Sequence, residues 1–488
     1  MKYSDSGFRS PASGRQSRNR QLAPGRCRLF ITRLKWPLAA AAATLASTLL
    51  SAQVPLGLET FDAAWTTVRD SHFDKTMNGV NWDGVRAELR PRAAAAKSEA
   101  ELRAVVQDML GRLGQSHFAL IPSSVEAPHD APRPGPDVSA DAGFDVRLVG
   151  GELLVTSVDG VAPVVRPGWR VVEIAGTPMV DLLRRLREEH RARPGSDQAA
   201  PDAGADRMLN VEAWRIAQTR LRGRAGSTVA VAFENGQGMP IALSLERRPE
   251  QGQPVTVGSL PTMFVRVESE RKQTPRGATA GVIRFNVWMA AVDALFQQAV
   301  DRFRAADGII IDLRGNPGGL AGMMMGISGH FVGERKTLGV MKTRENELRF
   351  VVNPRLVNAA GERVQPYAGP VAILVDAMSG SASECFAGGM QSIGRVRVFG
   401  QRSMGQALPA LFDRMPNGDV LIHAYGDFVT AEGTCLEGRG VIPDEVVPLV
   451  REDLLAGRDR TMDAALAWID RSRDRAPAAG AVGRAPAP

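Results

Sequence analysis

At 488 residues the chain is too long for one ordinary hydrophobic core, and its 44% apolar and 6% aromatic content suits two or three globular domains. A formal charge of +7 suggests nucleic acid or a membrane surface, but residues 1–52 hold nine Lys/Arg against Asp5 alone, and removing that +8 leaves residues 53–488 near −1. The body of the chain therefore has no electrostatic footprint for a phosphate backbone, and no nucleic-acid partner is expected.

The basic stretch ends at Arg33 and Lys35 and is followed by an apolar run, Trp36–Leu50, with small residues Ser51 and Ala52 after it. At about 15 residues the run is shorter than the ~20 a spanning helix needs, so residues 1–52 read as an export signal cleaved before Gln53, an uncleaved anchor staying open. The expected location is periplasmic or secreted, with no membrane span once the signal is removed. Of three cysteines, Cys27 leaves with this leader, while Cys385 and Cys435 are open to pairing or to remaining buried free thiols. No Cys-x-x-Cys or His-x-x-x-His spacing occurs, so no protein-built metal site is expected.

Residues 57–114 read as helical. Asn81-Trp82-Asp83 marks a helix start; Ser98 and Glu101 form a capping box ahead of Leu102, Val105, Val106, Met109, Leu110 and Leu113, with Gly114 as the stop. Ser116 and His117 then fall on a connection just past a helix end. Pro128–Pro136 has linker composition. Short strands follow at Leu153–Ser157, Val171–Ile174 and Val229–Phe233, with a helix at Val180–Glu189 and a polar loop near 195–206. From about 278, strands Gly281–Asn286, Gly308–Leu313, Val371–Asp376, Val396–Gly400 and Val420–Tyr425 alternate with helices Asp293–Ala305, Met323–Phe331 and one starting near Ser383, which argues an α/β core. The Ala/Pro/Arg-rich tail after about 470 is expected to be disordered.

Two segments could carry chemistry. Ser379-Gly380-Ser381-Ala382-Ser383-Glu384 lies where a strand turns into a helix, so a hydroxyl there meets free amides and the positive end of a helix dipole. Leu313-Arg314-Gly315-Asn316-Pro317-Gly318-Gly319 follows a buried strand and lets backbone approach a ligand closely, without the Gly-Lys-Ser/Thr ending of a P-loop. Either alone also reads as an ordinary turn and cap.

With Gly281-Val282-Ile283-Arg284-Phe285 before them and Gly440-Val441-Ile442-Pro443-Asp444 after, these segments resemble the C-terminal processing (tail-specific) protease and tricorn protease superfamily. Leu113-Gly114-Gln115-Ser116-His117 is similar to the end of that family's N-terminal segment, and Val165–Gly176 is similar to part of a PDZ domain. The resemblance covers about residues 57–450. Tail-specific proteases pair the serine with a lysine about 25 residues on; here Ser403-Met404-Gly405-Gln406 stands in that place, and Gln406 takes up no proton near neutrality. The tricorn-like branch instead has a Ser-His pair after the N-terminal helices and a Glu before the closing Gly-Val-x-Pro-Asp, matched by Ser116-His117 and Glu437.

The resemblance implies a crotonase-like α/β protease core preceded by helices and carrying a PDZ-like domain. Its divisions are a leader at 1–52, a helical region at 53–128, a PDZ-like domain at 129–255, the serine protease core at 256–452 and a C-terminal helix and tail at 453–488. It implies peptide-bond hydrolysis with Ser381 as nucleophile, His117 as base, Ser116 and Glu437 orienting the imidazole, and the Gly318 and Ala382 amides as oxyanion donors, with no cofactor. Peptide or protein substrates are the expected partners, captured by strand addition on the PDZ-like domain, with their C-termini as a candidate point of capture. His72 is the rival histidine because Ser71-His72-Phe73 repeats Ser116-His117-Phe118; His129, His190, His330 and His423 lie elsewhere, and Glu432 and Glu445 are rivals to Glu437. A binding-only relative, or a hydrolase of other esters or amides, are the alternatives.

Overall fold

The computed structural model describes residues 56–122, 139–159, 164–192, 204–257 and 262–475. The leader, the Pro128–Pro136 linker, His129, most of the 195–206 loop and the last 13 residues lie outside them.

Three helices open the described chain: α1 Leu56–Ser71, α2 Trp82–Ala94 and α3 Glu99–Gly111. Their starts follow local chemistry. Asn81 Oδ1 accepts from the Gly84 amide at 3.0 Å, and Ser98 Oγ accepts from the Glu101 amide at 3.2 Å. Glu101 reaches back to the Lys97 amide at 2.7 Å, one residue before the partner that a standard capping box uses. The inward faces of the helices bury Phe61, Val68, Leu89, Val106 and Leu110 against Leu408, Leu421 and Ala424 of the core. Strand β1, Ala119–Ile121, then pairs antiparallel with residues 420–422. That pairing fixes Ser116 and His117, two to three residues earlier, against the core.

A small mixed domain follows. Strands β2 Phe144–Val149, β3 Glu152–Val158, β4 Arg170–Ile174, β5 Thr228–Glu234 and β6 Pro240–Glu246 lie side by side in chain order, with β2 and β6 at the edges. Helices α4 Met179–Ala192 and α5 Gly204–Leu221 cover the sheet. The expected strands and α4 are present; α5 was not foreseen. Its signal was Leu209, Ala213, Ala217 and Leu221 at four-residue spacing, all buried, but half of them alanines that scarcely stand out from a polar stretch.

The core is one six-stranded sheet built from β7 Val267–Gln273, β8 Thr279–Phe285, β9 Gly308–Asp312, β12 Val371–Val375, β13 Arg397–Gly400 and the short β17 Glu445–Val446. They stand in that order, β7 antiparallel and the rest parallel. β9 and β12 are buried on both faces, hence their unbroken apolar runs. Ile309 and Ile311 face a cluster with Phe296 and Val300 of α6 (Ala291–Arg302) and Phe386 and Met390 of α8 (Ala382–Ser392), while Ile310 faces Met462, Leu466 and Ile469 of α10 (Arg460–Arg475). Helix α7, Met323–Ser328, ends three residues short of expectation, because the backbone tightens to three-residue turns, with the His330 amide on Ile327 O at 3.3 Å and the Phe331 amide on Ser328 O at 2.9 Å. Two smaller sheets complete the core. One joins β10 Lys336–Thr343, β11 Glu347–Val352 and β16 Gly426–Thr430; the other joins β1, β14 Ala410–Arg414 and β15 Val420–Ala424. The short helix α9, Arg451–Leu455, precedes α10. Cys385 is buried and Cys435 exposed, both as free thiols. Among the described residues no helix is long and apolar enough to cross a membrane.

Candidate active site

The loops at the carboxyl ends of β9, β12 and β13 converge. The Ser379–Ser383 turn shows how the fold distinguishes its three serines. Ser379 is buried and donates Oγ to Leu313 O at 2.7 Å; Ser383 is buried, donates to Asn316 O at 3.0 Å and accepts from Trp288 Nε1 at 2.9 Å. Both hydroxyls stitch the serine turn to the glycine-rich loop. Ser381, between them, is half-buried, and among the described residues its hydroxyl donates no hydrogen bond.

Ser381 is held in a backbone conformation (φ 51°, ψ −118°) that a non-glycine residue rarely adopts, at a cost of about 1–3 kcal/mol. Neighbouring bonds hold it there. The Ser381 amide donates to Gln406 O at 2.9 Å and to Glu384 Oε2 at 3.1 Å, and the Gly380 amide donates to Asn316 O at 3.0 Å. Glu384 also accepts from Ser403 Oγ at 2.6 Å and from the Gly405 and Gln406 amides at 2.6 and 2.9 Å. Burial pushes its carboxyl up to about 7, against four donors that favour the anion. Sequence reasoning quoted Glu384 only as part of a motif. Its spacing three residues after Ser381, at the start of a helix, was the available signal.

Gly318 lies directly against the serine. A Cβ placed on it would stand 2.6 Å from Ser381 Cβ and 3.0 Å from the Ala382 amide nitrogen, and its φ of +106° suits glycine alone. Its amide, however, donates to Asn316 Oδ1 at 3.0 Å, while Asn316 Nδ2 is fixed on Phe285 O at 2.9 Å. The expectation of a free Gly318 donor is corrected to this extent: the residue is in place, but a side-chain carbonyl already occupies its hydrogen. Ala382 opens α8, and its amide lies in the helix's first turn, where intrahelical acceptors are lacking.

The second group is assembled from distant parts of the chain. Ser116 Oγ donates to Glu437 Oε2 at 2.9 Å, the Ser116 amide donates to Glu437 Oε1 at 2.8 Å, and Ser116 Oγ lies 2.8 Å from His117 Nδ1. A hydroxyl has one proton; with it given to the carboxylate, Ser116 Oγ accepts from Nδ1–H, which leaves the lone pair on Nε2. Burial lowers the imidazole pKa to about 4, and burial likewise raises the Glu437 carboxyl against three hydrogen bonds that lower it. His117 as a whole residue is half-buried. His117 has φ +59°, a region that histidine tolerates better than most residues.

Residues 406 and 407 connect the two groups. Gln406 O takes the Ser381 amide, and the next amide, Ala407, donates to Glu437 Oε2 at 2.9 Å. The serine turn and the Ser116–His117–Glu437 string thus share one backbone segment. Among the described residues no hydrogen bond joins Ser381 Oγ to the imidazole. The Gln406 side chain points away, with Nε2 3.4 Å from Met208 Sδ of α5.

The rivals are accounted for. His72 is fully buried, bonded to Asp74 O and Gln115 Oε1 at 2.9 Å each and stacked between Phe73 and Phe118. His190 pairs with Glu212, and His330 is buried near Arg355. His423 stands between Ser71 Oγ and Asp413 Oδ2 at 2.8 Å each, but Ser71 spends its proton on Thr67 O at 2.7 Å. Glu432 is exposed and Glu445 pairs with Arg397. One edge of the small domain's sheet is partly capped by side chains. On β2, Leu148 N–H and C=O are bonded by Asn210 of α5 at 3.2 and 3.3 Å, Val146 N–H by Asp145 and Val146 C=O by Arg147. In this structure side chains occupy the four groups that an added strand would use.

Comparison with known proteins agrees with this architecture. Residues 279–447 match peptidase family S41, and residues 58–111 match the tricorn protease C1 domain. The chain is 24% identical over 389 residues to a carboxyl-terminal-processing protease of Picosynechococcus sp., covering 79% of this chain and 82% of that one. It is 23% identical over 392 residues to the protein of the same name from Synechocystis sp., covering 79% and 80%. Its fold is similar to that of the photosystem II D1 C-terminal processing protease (TM-score 0.52, 20% identity, 83% of this chain and 97% of that one). It is also similar to mature CPAF (TM-score 0.55, 13% identity, 85% and 96%). With both segments matched in order and the relatives aligned over most of their length, residues 279–447 are similar to peptidase family S41 and residues 58–111 to the tricorn C1 domain, and the chain is a serine-type peptidase.

Proposed function

We propose that Ser381 is the nucleophile and His117 the general base of an acyl-enzyme reaction on peptide bonds. The observation that carries this is the separation of roles in the serine turn: two serines are spent on structure, and the third, at a helix start, keeps its hydroxyl uncommitted. His117 Nε2 takes the Ser381 proton as Oγ attacks the carbonyl, then returns it to the leaving amine. Glu437 holds Ser116, and Ser116 holds Nδ1–H, so the imidazole meets the serine in the right tautomer. The tetrahedral oxyanion forms against the Ala382 amide and the dipole of α8, and Gly318 completes the pocket by sharing the hydrogen it now gives to Asn316. Glu384 keeps the turn in its strained form. Gln406 takes no proton.

The fold is read as a crotonase-like core with a PDZ-like small domain, and the chain as exported, with residues 1–52 as its signal. Carboxyl-terminal segments of proteins are the proposed substrates, by analogy with the carboxyl-terminal-processing proteases of Picosynechococcus and Synechocystis. With four backbone groups of the β2 edge already bonded, the proposed substrate is held at the serine turn rather than as a strand added at β2.

An active-site fluorophosphonate probe tests this. Wild type labels at Ser381, His117→Ala loses labelling by about 100-fold or more, and Ser71→Ala and His72→Ala label normally per folded molecule. A correctly folded wild type that refuses the probe overturns the hydrolytic reading in favour of a binding-only relative. Labelling without cleavage of casein or tailed peptides points to another ester or amide.

A further inference from the structure

Asp376 ends β12 and serves both catalytic loops. Its Oδ1 accepts the Gly315 amide at 2.9 Å, at the head of the glycine loop, and the Met378 amide at 3.0 Å, at the head of the serine turn. Gly318 and Ser381 each lie three residues further on. The other oxygen, Oδ2, faces the small domain, where Arg147 of β2 donates Nε to it at 3.2 Å. Arg147 is buried and packs so closely on the glycine loop that a Cβ on Gly315 would meet its Nη2 at 2.9 Å. Its fork is fixed from behind: Nη1 donates to Asp145 Oδ2 at 2.6 Å and to Val146 O at 2.8 Å. Asp145 is in turn held by Trp214 Nε1 and Gln218 Nε2 of α5 at 2.8 and 2.9 Å. The pair borders a cavity of about 330 Å³ that neither Ser381 nor His117 lines, so Arg147 does not touch substrate through it.

We propose that Arg147 is a positioning residue for hydrolysis. Reaching out of the small domain, its guanidinium holds Asp376, and Asp376 sets the spacing between the loops that carry Gly318 and Ser381. Asp376 is partly buried, and the cation that pairs with it is supplied by a separate sheet. Without Arg147, Asp376 is free to turn toward water and release one of the two amides, and a shift of about 1 Å between nucleophile and oxyanion donors is enough to lower turnover about 100-fold. The inference rests on the roles proposed above for Ser381 and Gly318.

The test is labelling of the full chain by the fluorophosphonate probe, with the maximal labelling rate separated from the probe concentration that gives half of it. Arg147→Ala is expected to lower the maximal rate about tenfold or more and leave the half-saturating concentration near that of wild type. Arg147→Lys should fall between, because an ammonium keeps the charge and loses the fork. Asp376→Asn should be slowed similarly, and the double variant no more than the worse single one, since both act through one contact. Arg451→Ala is the control: it breaks bonds from α9 to Gly168 O and Asn235 O of the small domain, away from both loops, so it should lower Tm and leave the labelling rate unchanged. If Arg147→Ala lowers Tm but labels as fast as wild type per folded molecule, Arg147 only joins domains and the proposal fails. Multiplicative effects in the double variant also overturn it. Should Arg147→Ala fail to fold, Arg147→Lys and Asp376→Asn decide on the same criteria. Wild type that does not label, or Ser381→Ala that labels like wild type, removes the underlying reading; normal Ser381-dependent labelling with an unaffected Arg147→Ala removes this inference alone.

Discussion

At the residue scale the His117 imidazole, as the proposed base, sets the pH range of the proposed reaction. Its pKa is lowered from 6.5 to about 4 by burial, so the ring is neutral and able to accept a proton throughout the neutral range. Labelling of Ser381 should therefore persist as pH falls below 6.5 and decline only as pH approaches about 4; an acid limb centred at or above 6.5 contradicts this environment. The same shift has a sign for stability. Between about 4 and 6.5 the unfolded chain binds a proton that the folded chain refuses, so His117 makes the fold less stable as pH drops through that window. Ser116→Ala removes the acceptor for Nδ1–H and frees the ring to take the other tautomer. It should slow labelling by about 10- to 100-fold with little change in Tm, measured side by side with wild type at pH 7.

At the element scale, turns and caps position the chemistry. Gly318→Ala would place a methyl 2.6 Å from Ser381 Cβ in a backbone region that alanine avoids, so the serine turn or the glycine loop must shift. Labelling should fall by at least 100-fold while far-UV circular dichroism stays native. A separate check concerns the helical region. Asn81→Ala removes the cap on the Gly84 amide and should cost about 1 kcal/mol in urea unfolding, with unchanged labelling at low temperature. Local pattern made these elements legible beforehand: polar caps at Asn81 and Ser98, apolar residues at helical spacing in α3, and unbroken apolar runs in β9 and β12. Where the pattern was weak, reading failed. Helix α5 turned inward on alanines, and β7 is an edge strand of largely charged residues.

At the scale of the whole molecule, the site depends on two layers packed on one sheet. Ile469 of α10 is fully buried and lies within 2.6 Å of where a Cβ on Gly308 would be, across the sheet from the nucleophile helix. Ile469→Ala should lower stability by about 2–5 kcal/mol without touching the catalytic groups. Equilibrium denaturation should show that loss, and labelling per folded molecule should not change.

The chain order of motifs, the missing lysine at Gln406 and the Ser-His pair at 116–117 were legible through the resemblance to the tail-specific and tricorn proteases, because each is a short run of neighbouring residues. Tertiary structure was needed for everything that depends on proximity. It put Glu437, 320 residues from His117 in the chain, behind Ser116, sent Ser379 and Ser383 to structural duty, and engaged the Gly318 amide with Asn316. It also covered the β2 edge and set Arg147 on Asp376. Hydrogen bonds act over about 3 Å, and only the folded sheet with its crossing loops brings such distant residues that near.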